Sequence, residues 1–308
     1  MTRALEVLDP GLSTLVQDAG RPGWAHVGVG RSGAADRAAW REANRAVGND
    51  DGAAALEVLL GGVRLRALAD LEVALAGARV GVAVEPQGAT PGAGSVVETG
   101  GGRLLLAAGS VLVLARPERG VRTYVAVRGG LDLAPVLGSR ASDRLGGIGP
   151  APLAAGDVIP VGRATAGQQD ESGDGSAPRA SDDEDVDVVL RIEPGPHEQW
   201  FEPRWPAVLC APEGFVVAPS SDRVAVRLEG AQVARTRAAH GRELAPVGLV
   251  HGAVQVPPDG RPVVFGVDHP VTGGYPVLAV VRSSDLDLLG QVRPGDVVRL
   301  ALSLPRGR

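Results

Sequence analysis

Five short stretches of this chain place polar residues and glycines where binding or catalysis could be built. In Leu15–Trp24 an apolar run ends in Gln17 and Asp18, and Gly20 and Gly23 leave room for a ligand or a second backbone. Arg21 offers a planar fork of donors that suits a carboxylate or phosphate. Two readings of it stand open: Arg21 holds an anion, or it pairs with Asp18 to fix a turn. Ser32-Gly33 then opens a helix whose first N–H groups favour negative charge, with Asp36 close behind. A second group joins Asn44, on that helix, to Glu57, inside the apolar run Ala55-Leu-Glu-Val58. A carboxylate buried there must be paired or hydrogen-bonded, so a site role and a structural ion pair both fit.

The third group is Arg128-Gly129-Gly130 with Ser139, Arg140, Asp143 and Arg144. The glycines permit unusual backbone geometry, and the arginines suit an anion cradle or a solvated surface. In the fourth, Asp222 and Arg223 precede Arg227, which stands four residues on and would share a strand face with Arg223. The fifth is the most informative. Two β-rich runs, Val254–Val256 and Val263–Val267, flank a Pro-Pro-Asp-Gly turn and predict a tight hairpin. Gln255 lies in the hairpin, and a Gly-Pro loop then carries Asp268, Thr272, Gly273, Gly274 and Tyr275. Polar groups on a glycine-rich loop beside rigid strands make a common form of binding site.

Inventory excludes other chemistries. All 31 basic residues are arginine, so a Walker-type lysine, a Schiff-base amine and a biotin attachment point are absent from this sequence. The five histidines have no metal-ligand spacing, no Gly-x-Ser-x-Gly elbow occurs, and Cys210 sits in an apolar Val-Leu-Cys-Ala-Pro context. A metal site is therefore not expected. The net charge of −5 and an aromatic content of 3% argue against nucleic-acid binding. A single cysteine fits a reducing compartment, and no apolar run reaches about 18 residues. The expectation is a cytoplasmic protein that does not contact a membrane.

The elements that must position these groups are mostly strands. With 44% apolar residues but few aromatics, the core must be Val, Leu and Ala, and 44 Gly and 24 Pro favour short strands. Runs such as Leu71–Leu75, Val111–Leu114, Val121–Val127, Phe215–Val217, Val224–Leu228 and Val277–Val281 read as strands. One helix is predicted over Ala34–Val47, capped by Ser32 and ended by Gly48-Asn49. A shorter one is predicted at Asp285–Leu289.

Residues 166–187 hold eight acids against Arg179 alone, too polar to order themselves, and predict a flexible acidic linker. It separates a first domain, 1–165, from a second, 188–308. Leu153-Ala-Ala-Gly-Asp-Val-Ile-Pro-Val161 and Val292-Arg-Pro-Gly-Asp-Val-Val-Arg-Leu300 close the two halves alike, which suggests two related β domains.

Taken in order, "STLVQDAGR", "SGAADRAAWREANRAVGN", "YVAVRGGLDLAPVLGSRASD", "SDRVAVRLEG", "GAVQVPPDGRPVV" and "DHPVTGGYP" resemble the KipA family, also called the 5-oxoprolinase C subunit. The family is related to the carboxyltransferase region of urea carboxylase and to allophanate hydrolase subunit 2. The resemblance implies a mainly β protein of two cyclophilin-like β-barrel domains. It implies one component of an ATP-dependent complex that hydrolyses 5-oxo-L-proline to L-glutamate. The implied partners are a KipI-like chain, which is the B component of that complex, and a third chain, its A component. ATP is implied, with Mg at the level of the complex. Under that resemblance Asp18, Arg21, Asp36 and Asp268 become candidate catalytic residues. Gln17, Ser32, Gly33, Asn44, Glu57, Arg128, Gly129, Gly130, Ser139, Arg140, Asp143, Asp222, Arg223, Gln255, Thr272, Gly273, Gly274 and Tyr275 become candidates for binding substrate or ATP. The alternatives are a regulatory protein that captures a KipI-like chain and a carboxyltransferase component fed by a separate biotin carrier. The chain departs from the family at three places: Arg31 replaces a proline, Val224-Ala225 replaces met-gly, and Pro270-Val271 replaces gln-thr next to the glycine loop.

Overall fold

A computed structural model describes residues 3–89, 92, 95–99, 102–163 and 188–303. The segment expected to be an acidic linker lies outside these residues. The chain forms two compact units. The first comprises Met1–Arg21 and Ser32–Ala180, and the second comprises Pro22–Arg31 and Ser181–Arg308.

The first unit is built from β1 (Ala4–Pro10), β2 (Ser13–Gln17), α1 (Arg37–Ala46), β3 (Ala55–Leu59), β4 (Val63–Ala67), β5 (Leu71–Gly77), β6 (Val80–Glu85), β7 (Ser95–Thr99), β8 (Arg103–Leu106), β9 (Val111–Leu114), β10 (Arg122–Val127) and β11 (Val158–Pro160). Its strands form a six-stranded sheet, β11-β1-β4-β9-β6-β7, and a five-stranded sheet, β2-β3-β10-β5-β8. One apolar core takes Leu5, Val7, Leu65, Val82 and Leu112 from the first sheet and Val16, Leu56, Val58, Val73, Leu75 and Val125 from the second. Strand alternation then sends the neighbours of those residues to the opposite face of the five-stranded sheet. There Ala55, Ala74, Ala76, Tyr124 and Ala126 pack against Ala39, Trp40 and Ala43 of α1 and against Val47, its C-cap. The small alanines let the helix approach closely. Glu57, one residue from Leu56 and Val58, falls on this helix-facing side.

The second unit contains β12 (Val188–Pro194), α2 (Trp205–Leu209), β13 (Phe215–Val217), β14 (Ala225–Glu229), β15 (Val247–Gly248), β16 (Ala253–Gln255), β17 (Val263–Phe265), β18 (Thr272–Gly273), β19 (Val277–Val281), α3 (Leu286–Leu289) and β20 (Val297–Leu302). Seven strands close a barrel in the order β12-β19-β16-β17-β14-β13-β20. Leu190, Ile192, Phe215, Val226, Leu228, Val254, Val264, Leu278 and Leu300 fill it. Closure removes the free edges that short strands would otherwise present. The predicted hairpin is β16–β17, in register Val254↔Val264 and Gln255↔Val263, with Gly260 at φ +75° in its turn. A two-stranded pair, β15–β18, stands beside the barrel.

Two local expectations are corrected and one is met. Helix α1 starts at Arg37, and its cap is Asp36, whose carboxylate accepts from Ala39 N at 3.0 Å, not Ser32. Ser32 and Gly33 take φ +50° and +96°, so the chain there is not helical. The short helix predicted at Asp285–Leu289 is present as α3, Leu286–Leu289, with Asp285 at its N-cap and a 3₁₀ turn, Ser283–Asp285, leading into it. Arg223 precedes β14 and is buried, whereas Arg227 on β14 is exposed, so the two do not share a face.

The two half-closing motifs do share a turn. Gly156 and Gly295 have φ +92° and +93°. Asp157 and Asp296 each accept from the N–H three residues earlier, at 2.8 and 2.7 Å. The strands that follow pair differently, however. β11 runs antiparallel to β1, and β20 runs parallel to β12.

Candidate functional site

In the first unit, three distant loops meet. Asp18 at the end of β2 accepts from Ser139 Oγ and Arg140 N, both at 2.6 Å, and from Gly20 N at 2.8 Å. Arg21 reaches the same loop, where Nη2 donates to Ala141 O and Nη1 lies 3.7 Å from Asp143 Oδ2. Asp18 and Arg21 therefore each tie to residues 139–143 rather than to each other. Gln17 Nε2 and Ser32 Oγ both donate to Ser142 O, at 3.0 and 3.1 Å. Gly33 completes the junction, since a Cβ there would stand 2.7 Å from Gly20 N and 2.9 Å from Asp18 O. Only glycine allows that approach at φ +96°.

A second network lies under the N-terminus of α1. Glu57 Oε2 accepts from Ala35 N at 3.0 Å and from the Tyr124 hydroxyl at 2.7 Å. Its Oε1 is 3.3 Å from Arg122 Nε. The Tyr124 oxygen in turn accepts from Asp36 N at 2.8 Å. Burial first, and then the charges of Glu57 and Asp36, push the Tyr124 phenol well above its ordinary value of 10.0. The hydroxyl stays protonated and bridges strand to helix. Tyr124 was not singled out in the sequence; its place on the helix-facing side of β10, opposite Glu57 on β3, is the signal that would have found it.

Asn44 is a bracket within this region. Its Nδ2 donates to Trp40 O and Ala53 O, and its Oδ1 accepts from Asn49. Asn49 also accepts from Gly129 N at 2.8 Å, so the Arg128-Gly129-Gly130 turn is anchored from the end of α1. Arg128 faces Glu72 at 3.1 Å, and Arg140 Nε donates to Leu133 O at 2.6 Å.

In the second unit, Arg223 and Asp268 form a buried two-pronged ion pair, with Nε–Oδ2 at 2.7 Å and Nη2–Oδ1 at 3.0 Å. Asp268 N also donates to Arg223 O at 3.1 Å. Fork-to-fork geometry of this kind fixes orientation as well as charge. Asp222 closes the adjoining turn by accepting from Val224 N and Ala225 N. Gln255 Nε2 holds the glycine loop from below, donating to Tyr275 O at 2.7 Å. Gly273 is pressed against Leu249 and Gln255, where a Cβ would lie 2.8 Å from Leu249 Cδ1. Thr272, Gly274 and Tyr275 are exposed on that loop, and His269 Nδ1 lies 2.8 Å from Pro270 O.

The candidate residues thus gather into separate groups, with Gln17, Asp18, Arg21, Ser32, Gly33, Ser139, Arg140 and Asp143 in one. Asp36 and Glu57 share the α1 network. Gln255, Asp268, Thr272, Gly273, Gly274 and Tyr275 belong to the loop region of the barrel, together with Asp222 and Arg223. Among the described residues, no group of three or more His, Cys, Asp or Glu could hold a metal ion. No helix there is long and apolar enough to cross a membrane. Cys210 is half-buried, and its thiol is pushed up by burial, which makes it a poor nucleophile.

Residues 27–302 match the family described as carboxyltransferase domain, subdomain A and B. The C subunit of 5-oxoprolinase from Escherichia coli is 34% identical over 307 residues, covering 96% of this chain and 89% of that protein. Its counterpart from Haemophilus influenzae is 30% identical, covering 97% and 92%. The crystal structure of TTHA0988 has a TM-score of 0.81 at 37% identity, covering 97% of this chain and 55% of that one. Kluyveromyces lactis urea carboxylase has a TM-score of 0.86 at 27% identity, covering 97% of this chain and 27% of that one. The chain therefore spans nearly the whole of the two bacterial proteins, about half of TTHA0988 and about a quarter of the urea carboxylase.

Proposed function

The chain belongs to the carboxyltransferase domain, subdomain A and B, family, and on that premise we propose that it is the C subunit of a 5-oxoprolinase, the complex that hydrolyses 5-oxo-L-proline to L-glutamate. The observation that carries this reading is similarity along most of both chains: 34% identity over 96% of this chain and 89% of the relative. The complex would include a KipI-like chain and a third chain, in the cytoplasm.

Within it, this chain's part is to hold the amide. The glycine loop of the barrel offers exposed backbone and the Thr272 and Tyr275 side chains, held in place by Gln255 and by the Arg223–Asp268 pair. A lactam needs a donor for its carbonyl and an acceptor for its N–H, and such a loop supplies both. Asp18, Arg21, Asp36 and Asp268 act here as positioning residues, because each is committed to a protein partner.

Several arginines that could hold a phosphate are already committed within this chain. Arg21, Arg128 and Arg140 are bonded to Ala141 O, Glu72 and Leu133 O, and Arg223 to Asp268, whereas Arg144 of the same loop is exposed. Gly129 N and Gly130 N donate to Asn49 and Val127. A triphosphate would have to break those bonds, so this reading assigns nucleotide binding to the partner chains.

A second reading, a carboxyltransferase component served by a biotin carrier on another chain, is favoured by the TM-score of 0.86 to the urea carboxylase. Genetic complementation separates the two. A bacterium lacking its own 5-oxoprolinase C subunit is expected to regain consumption of 5-oxoproline when given this chain together with its cognate partners. Failure to do so, with all chains expressed and soluble, would count against the oxoprolinase reading.

A further inference from the structure

Three side chains at one junction of the first unit carry buried polar atoms that make no hydrogen bond within the protein. These are Gln17 Oε1, Ser142 Oγ, and both Nε and Nη1 of Arg21. None of the three residues is more than 1% exposed. Their partnered atoms converge on three consecutive residues. Gln17 Nε2 is 3.0 Å from Ser142 O, Arg21 Nη2 donates to Ala141 O, and Arg21 Nη1 stands 3.7 Å from Asp143 Oδ2. That last separation is ionic and too long for a hydrogen bond. Folded proteins almost always supply partners for buried polar atoms, and a cluster of orphans marks a missing molecule more readily than a shared defect.

The inventory of these atoms specifies the guest. Arg21 Nε and Nη1 can only donate, so they require an acceptor. Gln17 Oε1 can only accept, so it requires a donor, and the Ser142 hydroxyl can serve either way. An anion without an O–H, such as sulfate or chloride, meets the arginine but leaves the glutamine oxygen unmet. Charge points the same way, because Asp143 already balances Arg21. We propose that the junction of residues 17–21 with 139–143 is a closed binding site for a small neutral guest that both accepts and donates hydrogen bonds. Ordered water has this chemistry. So does the unsubstituted edge of a ring amide, a source that rests on the lactam reading given above.

Crystals of the full chain, grown with and without pyrrolidin-2-one and diffracting well enough to show ordered water, test this directly. The expected result is density within about 3.2 Å of Gln17 Oε1 and of Arg21 Nε or Nη1. Water in both crystals assigns the site to solvent, and replacement by the ring amide assigns it to substrate. An empty site, or one filled by an anion, overturns the proposal. The thermal stability of Ser142→Ala gives an independent sign. If Oγ binds the guest, its removal lowers Tm by roughly 2 to 4 °C. If Oγ is a true orphan, its removal relieves a penalty, so an unchanged or higher Tm also overturns the proposal. Neither readout depends on oxoprolinase activity.

Discussion

Tyr124 ties three elements of the first unit together, although no motif in the sequence singled it out for chemistry. Its hydroxyl donates to Glu57 and accepts from Asp36 N, joining β3, β10 and the start of α1 at one oxygen. Tyr124→Phe leaves the Asp36 N–H and one Glu57 contact unmet in a buried place, at a cost of about 1–3 kcal/mol at neutral pH. The pH dependence has a definite sign. The folded phenol ionises well above 10.0, whereas the unfolded one ionises near that value. Its contribution is therefore fully present below pH 10 and is lost as pH rises past it. Urea midpoints of the wild type and Tyr124→Phe are expected to differ at pH 7 and to approach each other near pH 11. A gap that holds constant or widens would show that the hydroxyl is not buried in this way. Sequence alone placed Glu57 on a buried strand and foresaw that it must be paired. It did not show the partners, because Arg122 and Tyr124 stand 65 and more residues away and meet Glu57 only through the β3–β10 register.

At the scale of elements, most strands were legible because apolar runs between glycine and proline turns need no tertiary information. Val111–Leu114, Phe215–Val217 and Val277–Val281 fall on β9, β13 and β19 without displacement. The start of α1 was less legible. Ser32 has the composition of a cap, but Gly33 must pass within contact of Gly20, and that tertiary demand holds Ser32–Ala35 out of the helix. Which strand pairs with which was not legible at all, and the two similar half-closing motifs even lead into strands of opposite sense. The loop after β17 shows what tethers an element. Arg223, just before β14, grips Asp268 from a buried position. Breaking a buried pair by removing one partner costs about 3–5 kcal/mol, because the other charge is left behind. Asp268→Ala is thus expected to lose that much by denaturant unfolding, and Arg223→Met with Asp268→Leu to lose distinctly less. Equal losses in the single and double variants would mean that the pair's charge is not what secures the loop.

At the scale of the whole molecule, the five sequence blocks separate into scaffold and surface. Gln17, Asp18, Arg21, Ser139, Ser142 and Asp143 are buried and bonded inward, whereas Thr272, Gly274 and Tyr275 face solvent. Residue types could not make that distinction, since an arginine gripping a carbonyl and one awaiting a phosphate look the same in a sequence. On the reading proposed above, the bonded arginines leave nucleotide chemistry to the other chains of the complex. The most direct test of this account is ADP release by a mixture of this chain with the proposed partners, a KipI-like chain and a third chain, with and without 5-oxoproline. The account expects ADP release that depends on 5-oxoproline and stops when this chain is left out. Lactam-dependent release that continues without this chain, or none at all from chains that co-purify, would contradict it.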